Sequence, residues 1–164
     1  MSRNPKYQKT PSWLFLMEAL DRLLFMSKAT NCRRNLAMTA NSYAMAERVN
    51  HEVNFSTEYR TDAEQYGRPE HWVEAGKFGD CEDYALAKRG ILLAAGWPRD
   101  KLALCTCWCE DGGYHCVLFV DTDRGGYILD NRRDWPTKPT DLPYRWDSML
   151  MGGKWYEIRG WHSA

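Results

Sequence analysis

GDCEDYALAKRGILLAAGW, residues 79–97, is the most legible segment of the chain. Asp80 follows a glycine as a natural helix N-cap. Tyr84, Ala85, Ala87, Leu92 and Leu93 then recur at helical spacing, and Gly96 with Pro98 beyond it ends the pattern. The spacing predicts a helix that starts near Asp80, stops at Gly96 and carries Cys81 in its first turn.

Downstream the period changes from helical to alternating. Residues 102–108, 115–121 and 127–130 read as short strands, with Asp111-Gly112-Gly113 and Asp123-Arg124-Gly125-Gly126 as turns. A further strand is expected over 155–159. Upstream, residues 12–27 read as an amphipathic helix with Ser12 as cap, and a second helix is expected over about 39–53. Residues 56–78, punctuated by Gly67, Pro69 and Gly76, read as irregular. Helices first and strands second predict an α+β fold, with helices packed on an antiparallel sheet.

At 164 residues the chain is the size of one domain, and 44% hydrophobic with 27% charged residues excludes wholesale disorder. Lys plus Arg and Asp plus Glu both number 22, so no net charge draws the whole chain to nucleic acid or to a membrane surface. The charge is nonetheless uneven. Residues 1–34 hold seven basic and two acidic groups, whereas 35–83 hold four and ten. The expected division is a basic helical segment over 1–34 and one catalytic-sized domain over 35–164. No apolar run is long enough to span a bilayer, and Glu18, Asp21 and Arg22 break the N-terminal apolar stretch, so a cytoplasmic protein with reduced cysteines is expected.

Three residues carry chemistry. Cys81 opens the predicted helix, His115 opens the second strand, and Asp130 ends the third. Reflecting His115 through the turn near residue 123 brings it within a residue or two of Asp130, at one end of the sheet. A helix N-terminus packed against that end would bring all three together. The helix N-terminus and a nearby imidazolium both favour a thiolate, and a carboxylate fixes the ring's tautomer and aim.

These residues also match a family. VNHEVNFSTEYRTDAEQYG (49–67), GDCEDYALAKRGILLAAGW (79–97) and HCVLFVDTDRGGYILDN (115–131) resemble the bacterial transglutaminase-like cysteine proteinases, the LapG-like family with a papain-like fold, over about residues 45–160. The resemblance implies Cys81 as nucleophile, His115 as general acid/base and Asp130 as orienting acid. It also implies calcium held by Asp80 and Glu82 with Asp83 adjacent, carboxylates being suitable ligands for that ion. From the residues alone, Asp80 could equally cap the helix, with Glu82 and Asp83 favouring its first turn. LapG-type members carry a signal peptide and act in the periplasm. None is evident here, so their substrate and membrane regulator do not carry over. Relatives without one are often carried on phages and prophages. The segment EHWVEAGKFGDCED (70–83) is shorter than the family's, leaving Trp72 as a candidate for oxyanion-side contacts.

The expected activity is endopeptidase cleavage of a protein or peptide substrate through a thioester. The alternatives are acyl transfer to an amine at the same site, or a non-catalytic binding module. Cys105, Cys107 and Cys109 alternate and so share one strand face, with Cys116 on the neighbouring strand. Their spacing suits core packing better than zinc. His51, His71 and His162 lack a partner motif, and Arg132 and Arg133 could contact substrate or lie in a solvated loop.

Overall fold

The computed structural model describes residues 36–161. The helix expected over 12–27, the basic segment over 1–34 and Cys32 lie outside the described residues, as does His162.

Helix α1 (Ala40–Ser56) starts from a capping box in which Thr39 and Ser42 bond reciprocally, and it buries Ala46, Val49, Asn50 and Val53 along one face. It runs past the expected end at residue 53. Asn54, a weak helix former, stays helical because its amide donates to the carbonyls of Asp130 and Arg133, each at 2.9 Å. The stretch expected to be irregular contains a short parallel pair, β1 (Glu58–Tyr59) and β2 (Phe78–Gly79), with helix α2 (Asp62–Tyr66) between them.

Helix α3 (Cys81–Ala94) follows the sequence closely. Its end is a Schellman closure: Trp97 N–H donates to Leu92 O and Gly96 N–H to Leu93 O, both at 3.0 Å, with Gly96 at φ +88°. Only glycine takes that backbone region without strain.

The sheet has the order β5-β4-β3-β6-β7, with every neighbouring pair antiparallel. Its strands are β3 (Leu102–Trp108), β4 (Tyr114–Val120), β5 (Tyr127–Leu129), β6 (Arg145–Met151) and β7 (Lys154–Glu157). Three of these match the expected strands, and β7 takes the place of the one expected over 155–159. Strand β6 was not anticipated. On one face Leu104, Cys116, Leu118, Val120 and Leu129 meet Ala85, Leu86 and Leu92 of α3 and Val49 of α1. On the other, Cys105, Cys107, Val117, Phe119 and Ile128 pack under Leu142, Tyr144, Trp146 and Trp161.

The alternating cysteines therefore share one buried apolar face, while Cys116 points to the opposite one. All five described cysteines are free thiols. Among the described residues no helix is long and apolar enough to cross a membrane. The architecture is α+β, two helices against one face of an antiparallel sheet.

Candidate active site

The β3–β4 hairpin pairs Cys107 with His115, and the β4–β5 register pairs Leu118 with Leu129. Continuing that second register sets Asp130 opposite Val117, two residues along β4 from His115 and so beside the same face of the strand. There His115 Nε2 and Asp130 Oδ1 lie 2.8 Å apart, both side chains buried. Asp130 also accepts the Arg132 N–H at 2.9 Å and the Tyr144 hydroxyl at 2.7 Å. Tyr144 packs edge-on to the imidazole, its ring centroid 6.0 Å away. Burial on its own would raise the Asp130 carboxyl. The hydrogen bond and charge of His115, with the Arg132 N–H and the Tyr144 hydroxyl, overcome it and hold the group at about 2.

Cys81 is the first residue of α3 and is buried in the helix-side core beside Trp72, Ala85 and Cys116. Cys116 follows His115 directly in β4 and shares a core cluster with Cys81, so the helix N-terminus packs against that strand. The structure thus joins His115 to Asp130 and sets Cys81 at the same end of the sheet. It does not hydrogen-bond Cys81 to His115. The Cys81 Sγ instead donates to Glu82 Oε2 at 3.1 Å. Burial first, and the Glu82 charge second, push its thiol well above the ordinary range. Sequence reasoning expected the helix N-terminus to favour the thiolate; burial and the neighbouring carboxylate act in the opposite direction.

Asp62, Asp80 and Glu82 form a buried cluster whose carboxylate oxygens lie within 4.8 Å of one another. Asp80 precedes α3 as its N-cap, with extended backbone. One of its oxygens accepts the Asp62 N–H at 3.2 Å, and the other is buried with no partner, as is Asp62 Oδ1. His71 N–H donates to the second Asp62 oxygen. Burial and the Asp62 charge raise Asp80 to about 6, and burial with the Asp80 charge raises Glu82 to about 10.

Asp83 stands apart from this cluster. Its oxygens accept the Val73 N–H at 2.9 Å and the Asp80 N–H at 3.4 Å, so it braces the turn into α3. Of the expected trio of Asp80, Glu82 and Asp83, the first two thus lie in the cluster, together with Asp62, and Asp83 does not. Asp62 lies 18 positions before Asp80, and the pairing of Tyr59 with Gly79 across β1 and β2 is what carries it there. The only advance signal for Asp62 was its place in the stretch 49–67.

The remaining candidates have plainer roles. Trp72 is buried, donates its indole N–H to Glu70 and packs edge-on to Trp155. His51 stacks on Phe55, and His71 packs against Tyr66. The Arg132 guanidinium reaches Glu110 and Asp111.

No curated protein sequence matches the chain. Among solved structures, Legionella pneumophila LapG superposes with a TM-score of 0.60 at 20% identity, covering 94% of this chain and 84% of that one. Its calcium-bound form gives the same TM-score at 21% identity over 76% and 72% of the two chains. The EGTA-treated form matches at 0.60 and 20%, over 94% and 82%. At such identity the likeness speaks for the fold. The family model for bacterial transglutaminase-like cysteine proteinases matches residues 26–162, nearly the whole chain, and the chain accordingly belongs to that family.

Proposed function

We propose that this protein is a calcium-dependent cysteine endopeptidase in which Cys81 attacks a peptide carbonyl, His115 moves the proton and Asp130 holds His115. One observation carries the reading: a cysteine at a helix N-terminus packs against the strand that presents a buried His–Asp pair.

Asp130 occupies Nε2 of the imidazole, which leaves Nδ1 as the nitrogen for the thiol. Cys81 gives its proton to that nitrogen as Sγ bonds to the substrate carbonyl carbon. The proton then passes to the leaving amine, the C–N bond breaks, and a thioester remains. His115 next takes a proton from water, whose oxygen attacks the thioester carbonyl. The acid is released and the thiol is restored. The N–H groups in the first turn of α3 have no partner within the helix, and they serve the oxyanion. The reaction requires Sγ to leave Glu82 for His115.

The acidic cluster fits a calcium ion. Its donors are hard oxygens, all three residues are buried, and Asp62 and Asp80 each keep one oxygen without a partner. Asp62, Asp80 and Glu82 would hold the ion, which when bound supplies the positive charge that balances theirs beside the thiol. The calcium-bound form of Legionella pneumophila LapG supports calcium as the ion.

Incubating a complex peptide mixture with the protein in calcium, then labelling new N-termini, tests the reading. Wild-type protein is expected to create new termini and Cys81→Ala protein none. Equal cleavage by the two would overturn it.

A further inference from the structure

Residues 142–146 lie on the sheet with strict alternation: Leu142, Tyr144 and Trp146 are buried, Pro143 and Arg145 exposed. Extended backbone sends every second side chain to one face, so these three cover the strands beneath them. Two ring contacts fix Tyr144 in that row. Its ring centroid lies 5.8 Å from that of Trp146 and 6.0 Å from that of the His115 imidazole, edge-on to both. Trp146 is pinned in turn by its indole N–H, which donates to Pro139 O at 3.2 Å.

The Tyr144 hydroxyl meets Asp130 on the side that His115 leaves open. His115 Nε2 at 2.8 Å and the Arg132 N–H at 2.9 Å both reach Oδ1. Among the described residues, the Tyr144 hydroxyl at 2.7 Å is the only donor to Oδ2. Asp130 is 1% exposed, so without that hydroxyl Oδ2 would be the buried, unpaired half of a carboxylate. Tyr144 therefore touches both members of the pair, its ring against the imidazole and its hydroxyl on the carboxylate.

We propose that Tyr144 is a positioning residue: its hydroxyl anchors Oδ2 of Asp130 and thereby keeps Oδ1 directed at His115 Nε2. The consequence for catalysis rests on the peptidase reading above, whereas the chain of bonds from Tyr144 through Asp130 to His115 does not. A carboxylate bonded at one oxygen can turn, but one bonded at both presents a fixed lone-pair direction to the imidazole. The charges agree with the geometry. Burial and the Asp130 charge push the Tyr144 phenol up, while its hydroxyl helps His115 and the Arg132 N–H hold Asp130 at about 2 against the effect of burial.

Tyr144→Phe keeps the ring contacts and removes only the hydroxyl, a change that a residue serving packing alone would not register. Carbon-13 NMR of the Asp130 carboxyl gives its midpoint, and nitrogen-15 shifts of the neutral His115 ring at alkaline pH give its tautomer. In Tyr144→Phe the midpoint is expected to rise by about 1 pH unit, and the share of rings protonated at Nε2 to fall. The other titratable groups around Asp130 keep their state in the acid range where it titrates. Burial pushes the Cys107 and Cys109 thiols up and so keeps them neutral, Lys88 is lowered by burial only to about 7, and the Arg132 guanidinium stays charged. An unmoved tautomer in a folded Tyr144→Phe protein overturns the proposal, since Asp130 then keeps its aim without the hydroxyl. An unmoved midpoint overturns it too, because no bond to Oδ2 was then lost. Should Tyr144→Phe not fold, the near-isosteric Asp130→Asn decides. There the Tyr144 hydroxyl proton is expected to move upfield as its acceptor loses charge, and an unmoved signal overturns the proposal. None of these spectra reads peptide cleavage, so a failed peptidase assay leaves the result standing.

Discussion

Replacing Asp130 by alanine is expected to lower the unfolding free energy by about 3–5 kcal/mol, because it strips one partner from a buried pair. The His115 imidazole, the Tyr144 hydroxyl and the Arg132 N–H all lose their acceptor at once, in a site where both members of the pair are buried. Asp130→Asn keeps the shape and one acceptor oxygen and should cost less. The pH dependence separates the charge from the packing. The Asp130 carboxyl sits at about 2 in the folded protein against an ordinary 3.8. A depressed carboxyl contributes stability that is full above its unfolded value and is lost as pH falls through its folded value. Linkage makes that contribution about 2 kcal/mol, present above about pH 4 and fading toward about pH 2. Urea unfolding of wild type and Asp130→Asn over that range checks it. The gap between the two should shrink on acidification, and a constant gap contradicts the charge assignment.

The second large effect is a crossover at the acidic cluster. Asp80→Asn is expected to raise the melting temperature of the calcium-free protein, since it removes one of three crowded, buried carboxylates. Calcium is expected to stabilise the wild type, and the same change should abolish that gain. A ligand at about 100 times its dissociation constant stabilises by about 2.7 kcal/mol, or about 5–10 °C for a chain of this size. Thermal unfolding with calcium and with a chelator reads both halves. A variant that is less stable without calcium yet still gains from it would show that Asp80 serves the helix and not the ion.

The parts of this account that were legible in sequence are those set by local rules. Helix α3 ends where expected because Gly96 is the left-handed residue its closing bonds require. His115 and Asp130 could be paired in advance because the turn between β4 and β5 fixes their register. Features that depend on tertiary contacts were not legible. Strand β6 lacks clean alternation, with Trp146 and Leu150 buried among partly covered neighbours, so no period marked it. Its pairing with β3 also shifts between Thr106 and Cys107. Strands β1 and β2 span two residues each and exist only through one another. The same pairing carries Asp62 to Asp80, so the sequence points to Asp83, nearer along the chain, where the fold brings Asp62 into the cluster. Nothing about Lys88 in a sequence says that its ammonium is buried. At Cys81 the helix N-terminus is visible in sequence, whereas the burial that acts against a thiolate is not.

The central claim is that Cys81 is the nucleophile and His115 its base. Site-resolved iodoacetamide labelling of the calcium-loaded protein at about pH 6 tests it most directly, because ordinary thiols stay protonated there. The account predicts that Cys81 is labelled well ahead of Cys105, Cys107, Cys109 and Cys116. His115→Ala should remove that lead, and a chelator should diminish it by returning the thiol to Glu82. Labelling of Cys81 no faster than the buried core cysteines, with calcium present, would contradict it.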